Sequence, residues 1–346
     1  MSKVPTTDAS LSSRWDSGRP WRVFRRVALV FLWAPLGLLT LWVMAALYFD
    51  ARVSWLRLPL AAIYGLGMIA VLTWLRPRRR AACVCVGGFA FVLTWWLFLK
   101  PSNQRDWEPD VAVLPYAEIN GNQATIHNIR NCDYRTETDF DVRYYDKTFK
   151  LEDLRTVDLF LVTWGSPHIA HTMVSFGFLD GAYVCFSIET RKAKGEAYSA
   201  VKGFFRQYEL TCIIADERDL VRVRTNYRQD EEAHLYRVRM TPEQGRTLLL
   251  DYLERANALR FRAEWYNAVT DNCTTAIRTQ RAAADRQPWD WRMLVNGHLD
   301  ELLYERGMIA TNLPFAALKK ESLINARARA ADQDPAFSKR IRQNLP

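Results

Sequence analysis

Cysteine is sparse in this chain, six residues in 346, and no two of them stand at C-x-x-C or zinc-knuckle spacing. That removes the sequence grounds for a thioredoxin-type redox pair or a structural zinc. Basic excess is also missing from most of the chain. The formal net charge is +9, but residues 1–100 hold 13 Lys/Arg against 3 Asp/Glu, and the remainder holds 34 against 35. A downstream portion that is close to neutral carries no basic footprint, so no nucleic-acid partner is expected. Internal repeats and low-complexity blocks are absent as well. No small-residue cleavage site follows the first apolar run, which therefore reads as an anchor and not as a removable signal peptide.

Charge is missing altogether from three stretches. Val27 to Phe49 is long enough to span a bilayer, and Leu58 to Leu75 and Ala81 to Leu99 are close to the minimum spanning length. Pro35 and Gly37 are tolerable inside a membrane helix. The arginines that are present flank these runs: Arg14, Arg19, Arg22, Arg25 and Arg26 before the first, and Arg76-Pro-Arg-Arg-Arg80 between the second and third. The positive-inside rule puts both basic segments in the cytoplasm, so the Asp50–Arg57 turn and everything after Leu99 face outward. The expected layout is a cytoplasmic segment 1–26, a three-helix membrane domain 27–100, a linker with lead-in strands 101–150, and a periplasmic domain 151–346. The expected location is a bacterial inner membrane.

Beyond the membrane runs the pattern is mixed. Pro101 to Pro115 reads as a polar linker. Gln123–Ile129 alternates as a strand after the Asn120-Gly121 turn, 139–149 contributes another, and Asp158–Thr163 is a short apolar strand. Thr172–Phe178 and Tyr183–Glu189 form a hairpin. A three-residue loop, Leu179-Asp180-Gly181, pairs Phe178 with Ala182 and so His171 with Glu189. Only that register gathers Thr172, Val174, Phe176, Phe178, Val184, Phe186 and Ile188 on one face, because a one-residue slip exchanges the faces. His171, Met173, Ser175, Ser187 and Glu189 then share the other. Residues 192–206 read as a helix, and Tyr208–Ala215, Leu220–Thr225 and Leu235–Met240 as strands. Thr241-Pro-Glu-Gln opens a helix running to about Ala258. Helices are expected over 300–306 and 316–331.

The chemically pointed stretch is Tyr266-Asn-Ala-Val-Thr-Asp-Asn-Cys-Thr-Thr275. Asn272 is a good N-cap, which places Cys273 in the first turn of a new helix. The unpaired N–H groups and the dipole at such an end favour the thiolate. A thiolate mechanism needs a histidine to handle the proton, and His171 at a strand start is the best candidate. Glu189 or Ser187 would hold its imidazole. Asn272, Thr274 and the Cys273 backbone are candidates for substrate or oxyanion contacts, and Trp265 and Tyr266 for the walls of the site. His168-x-x-His171 offers two potential metal ligands, but no matching carboxylate or second histidine cluster accompanies them, so neither metal nor cofactor is expected. Cys83 and Cys85 fall in the membrane run. Cys185 and Cys212 read as small buried hydrophobes. A disulfide among Cys132, Cys185 and Cys212 is permitted outside the cytoplasm.

Ala170-His171-Thr172 entering a strand and Asn272-Cys273-Thr274-Thr275 entering a helix resemble the motifs of the Lnb-type N-terminal periplasmic domain. That family lies within the circularly permuted papain-like (NlpC-related) thiol fold, and the resemblance covers about Leu151 to Gln280. It implies an α+β domain with His171 as base and Cys273 as nucleophile, the histidine preceding the cysteine. The family pattern Phe-Gly-His is Ile-Ala-His here, which keeps His168 as an alternative base. The resemblance implies lipoprotein N-acyltransferase chemistry; related permuted folds include lecithin–retinol acyltransferases and cell-wall amidases. The reading is a membrane-anchored thiol acyltransferase or hydrolase working on membrane lipids, a lipoprotein or another cell-envelope substrate. A peptidoglycan or peptide amidase with the same dyad and an inactive binding or assembly protein are its rivals.

Overall fold

A computed structural model describes residues 19–267, 290–293 and 296–345. The chain divides into two units, Met1–Leu99 and Lys100–Pro346.

The first unit is helical: α1 (Arg19–Asp50), α2 (Ser54–Trp74) and α3 (Arg78–Leu97). Each contains a stretch long and apolar enough to cross a membrane. Many of their described large apolar side chains, Leu58, Ile63, Leu66 and Phe91 among them, point outward, as helices solvated by lipid require. Inside the bundle Trp42 meets Phe89 and Trp96 edge-on at 5.5 and 5.4 Å. Trp96 Nε1 donates to Asp50 Oδ2 at 2.7 Å, which satisfies a buried carboxylate at the end of α1.

The second unit is built on a mixed sheet. Its strands are β1 (Tyr116–Asn120), β2 (Gln123–Arg130), β5 (Tyr144–Lys150), β6 (Leu154–Trp164), β7 (Ser166–Phe178), β8 (Tyr183–Arg191), β9 (Glu209–Ala215) and β10 (Glu231–Arg237). The order is β1-β2-β9-β8-β7-β6-β10, with β5 also on β2. Pairing is antiparallel except between β2 and β9. A small ribbon, β3 (Asp133–Tyr134) with β4 (Phe140–Asp141), stands apart. The other helices are α4 (Glu217–Arg222), α5 (Pro242–Phe261), α6 (Leu299–Glu305), α7 (Phe315–Ser322), α8 (Asn325–Ala330) and α9 (Phe337–Arg340).

Strand alternation sends side chains to two cores. Val157, Leu159, Leu161, Val174, Phe176 and Phe186 pack under α5 through Leu249, Tyr252 and Leu253. Phe160, Val162, Met173 and Cys185 pack on the opposite face against α4 and the C-terminal helices through Leu220, Ile324, Phe337 and Ile341. Each fully buried Phe, Leu or Ile contributes roughly 1.5–3 kcal/mol of burial. α5 begins as its sequence demands. Thr241 accepts from Gln244 N–H, Gln244 Oε1 accepts from Thr241 N–H, and Pro242 occupies the first turn.

The expected hairpin register holds. Met173 pairs with Ser187 and Phe176 with Val184, Phe178 N–H donates to Ala182 O at 2.9 Å, and Gly181 takes φ +80. Three expectations fail. Residues 192–206 form a single 3-10 turn, Lys202–Phe204, and no long helix; Gly195 at φ +77 breaks the helical path. The 220–225 stretch is helix, not strand, because the Asp216 side chain caps Arg218 N–H and α4 runs into a π-helical turn, Val223–Tyr227. The helix expected over 316–331 breaks at Leu323–Ile324, where Ile324 N–H donates to Ala233 O and extends the β10 edge. The stretch read as a linker also docks: Trp107 is buried beneath the Arg191 guanidinium, 4.2 Å from its ring.

Cys132, Cys185 and Cys212 are buried free thiols. Burial pushes Cys132 and Cys212 up to about 12 and Cys185 well above the usual thiol value, so none is a ready nucleophile.

Candidate active site

The antiparallel alternation of β6 to β9 brings the C-terminal ends of β6 and β8 and the N-terminal ends of β7 and β9 to one end of the sheet. There a cavity of about 450 Å³ opens, walled by His168, Ala170 and His171 from β7 and Ile188, Glu189 and Thr190 from β8. Arg224, Arg228, Tyr198, Tyr266 and Asn296 also line it.

Within it, His171 Nε2 lies 2.6 Å from Ser187 Oγ. Ser187 donates to Glu189 Oε1 at 2.8 Å, which itself lies 3.5 Å from His171 Nε2. Ser187 has one hydroxyl proton, directed at the carboxylate, so its oxygen accepts from the imidazole. The network therefore assigns the ring proton to Nε2 and leaves Nδ1 as the basic nitrogen. Burial alone would raise the Glu189 carboxyl, but the His171 imidazole nearby and the Arg224 charge hold it well below the usual carboxylate range. Arg224 Nη2 donates to Glu189 Oε1 at 3.1 Å and Nη1 to Glu231 Oε2 at 3.3 Å.

The structure thus brings His171, Ser187 and Glu189 together, in series and not as alternatives. Tyr266 lies in the wall, its N–H donating to Tyr208 O. Trp265, expected beside it, instead pairs with Glu209 at the sheet margin. Cys273, Asn272 and Thr274 lie outside the described residues. The described chain reaches the cavity wall on both sides of that stretch, with Tyr266 before it and Asn296, whose Nδ2 donates to Ala170 O at 3.3 Å, after it. His168 also lines the cavity but turns away from His171: its Nδ1 lies 2.7 Å from His298 Nε2, and His298 Nδ1 is 3.6 Å from Glu301. The two histidines of the His-x-x-His pair therefore serve different partners. Among the described residues no group of three His, Cys, Asp or Glu is placed to hold a metal ion.

Sequence reasoning missed Arg224, Glu231 and Asn296. The signal available for Arg224 was a second arginine inside an otherwise apolar run, Leu220-Val-Arg-Val-Arg224, both of whose arginines are buried.

These features define a class: an α+β domain on a membrane anchor, with a histidine–hydroxyl–carboxylate series in an open cavity. Residues 140–297 match the model of the family described as the Lnb N-terminal periplasmic domain. No curated protein and no solved structure matches the chain.

Proposed function

We propose that this protein is a periplasmic acyltransferase or hydrolase, anchored in the inner membrane, that works through a thioester on Cys273. The observation that carries the reading is the His171–Ser187–Glu189 series in a cavity flanked on both sides by the chain leading into and out of the Cys273 stretch. A permuted papain-like arrangement is the fold this series fits, histidine first and cysteine second, and the Arg-rich segments before α1 and between α2 and α3 support a periplasmic site.

In the proposed cycle His171 Nδ1 takes the Cys273 proton, and the thiolate attacks the carbonyl carbon of an acyl ester. The C–O bond breaks, and the alcohol leaves with the proton held by His171. An incoming amine or water then attacks the thioester, loses its proton to His171, and the thiol is regenerated. Ser187 and Glu189 keep Nε2 protonated throughout, and Arg224 keeps Glu189 ionised. Membrane anchorage favours an acyl lipid as donor and a lipoprotein amine as acceptor. The charged wall of Arg228, Lys192, Glu137 and Asp110 favours a second reading, hydrolysis of a charged peptide by the same residues.

The test is mass spectrometry of the full-length protein after incubation with phospholipid and lipopeptide, and separately with muropeptide. An acyl adduct on Cys273, absent in Cys273→Ala and slowed in His171→Ala, supports acyl transfer. Turnover of muropeptide with no lipid adduct favours the amidase. Neither outcome, with both variants still functional in cells, sinks catalysis and leaves a binding protein.

A further inference from the structure

The end of the sheet that holds the cavity also collects exposed apolar side chains from segments far apart in sequence. Trp164 ends β6 and Ile169 lies early in β7, Val201 and Phe204 are on the segment before β9, and Phe261 is at the last turn of α5. Phe261 is 86% exposed, and neighbours of the opposite character surround these residues. Arg260 and Arg262 bracket Phe261, and Lys202 lies between Val201 and Phe204. A soluble surface seldom spends large apolar side chains in this way, and apolar residues interleaved with basic ones suit the interfacial zone of a bilayer.

The same end receives the membrane tether. Only Lys100 and Pro101 separate Leu99 from Ser102, whose N–H donates to Glu209 Oε1 at the start of β9 at 3.2 Å. Asn103 Nδ2 then donates to Leu259 O at 2.9 Å and to Arg260 O at 3.1 Å, one helical residue from Phe261. Arg105 adds a 2.7 Å bond to Glu209. The chain that comes from the apolar helices is therefore pinned to the edge that carries Phe261. Arg260 is itself stacked 3.7 Å from the Tyr116 ring, which holds that corner in place.

We propose that this end of the sheet is a lipid-contacting surface, with Phe261, Phe204 and Ile169 entering the head-group zone of a bilayer and Arg262 and Lys202 meeting its phosphates. The cavity then opens at the lipid surface and receives a substrate along the membrane plane. This surface borders the cavity, which Trp164 and Ile169 also line, but it concerns where the domain rests and not what Cys273 does.

The test places p-benzoylphenylalanine at Phe261, Phe204 or Ile169 of the full-length protein in vesicles of phosphatidylethanolamine and phosphatidylglycerol. Leu179, 64% exposed at the opposite end of the sheet, takes the probe as the comparison site. After irradiation, mass spectrometry should find lipid adducts at the three positions and not at Leu179, unchanged in a Cys273→Ala background. Adducts at all four positions alike, at none of the three, or to protein in place of lipid would overturn the proposal.

Discussion

Arg224 ties Glu189 to Glu231: one guanidinium donates to Glu189 at 3.1 Å and to Glu231 at 3.3 Å. Arg224 and the Ser187 hydroxyl share Glu189 Oε1, so Arg224 acts on the histidine through the carboxylate. Burial opposes the Arg224 charge, and the two glutamates more than offset it, raising the guanidinium above its usual value. Replacing Arg224 with Met should slow formation of the Cys273 acyl adduct by about tenfold or more, a fraction of the general-base contribution. The acid limb of the pH profile should move upward, because Glu189 loses the cation that keeps it ionised. Arg224→Lys should not rescue, since a single ammonium cannot bridge two carboxylates in one plane. A lowered rate with an unmoved pH profile would reduce Arg224 to a packing role.

Ser187 separates the histidine from the acid, and its removal tests whether the series matters. Ser187→Ala leaves the Nε2 proton facing Glu189 Oε1 at 3.5 Å, too long for a good hydrogen bond. The adduct rate should fall about tenfold to a hundredfold, while His171→Ala should lose about a hundredfold or more. Equal rates in wild type and Ser187→Ala would show that Glu189 holds the imidazole alone.

The Glu189 carboxyl also sets a pH dependence of stability. Its folded value is depressed, so the unfolded chain takes up the proton more readily. The stabilisation is fully present above the unfolded value, about 4.3, and is lost as pH falls through the folded one. Wild type and Glu189→Gln should therefore differ most near neutral pH and converge only in acid, below about pH 4. Denaturant midpoints measured across that range in detergent give the answer directly.

How much of this was legible in the sequence depends on the range of the interactions. The β7–β8 register could be read from period-two alternation and Gly181, and it placed His171, Ser187 and Glu189 on one face. Local capping also sufficed for α5, through Thr241 and Gln244. Arg224 was unreadable for a different reason. Leu-Val-Arg-Val-Arg alternates like a strand, but the Asp216 cap and the docking of Leu220 and Val221 on the sheet make it helical. The His168–His298 pair spans 130 residues, and nothing local announces it. Trp265 looked like a wall residue by adjacency to Tyr266, yet neighbours along an extended chain point opposite ways.

Gly297 fixes the return of the chain to the cavity. A Cβ built there would fall on the Pro167 carbonyl oxygen and the His168 backbone, atoms that cannot swing aside. Gly297→Ala should cost about 1–3 kcal/mol as overpacking. Because the displaced backbone leads directly to Ala170 and His171, the adduct rate should fall with it. Gly121→Ala provides the control: it meets no atom, sits far from the cavity in the β1–β2 turn, and at φ +59 costs only local strain. Thermal unfolding and adduct rate measured on both variants should separate a general loss of stability from a displaced histidine.

Arg342 binds the C-terminal helices to the sheet. Its guanidinium donates to both Glu217 oxygens at 2.6 and 2.7 Å and to Asp158 at 2.8 Å, and lies 3.6 Å from the Tyr183 ring. Glu217 and Asp158 are fully buried, and Ser175 adds its hydroxyl to Glu217. Removing the cation leaves two buried carboxylates, one of them, Glu217, without a guanidinium, while Arg237 still holds Asp158. Arg342→Met should therefore cost about 3–5 kcal/mol, the penalty of breaking a buried pair by removing one partner. The double variant Arg342→Met with Glu217→Gln should recover part of that loss, because the amide needs no counter-ion. The cavity lies at the other end of β7 and β8, so adduct formation in the folded fraction should stay near wild type in both variants. Chemical denaturation gives the first quantity and mass spectrometry of Cys273 the second. If the double variant is no more stable than the single one, the loss comes from packing of the Arg342 guanidinium over the Tyr183 ring and not from unpaired charge.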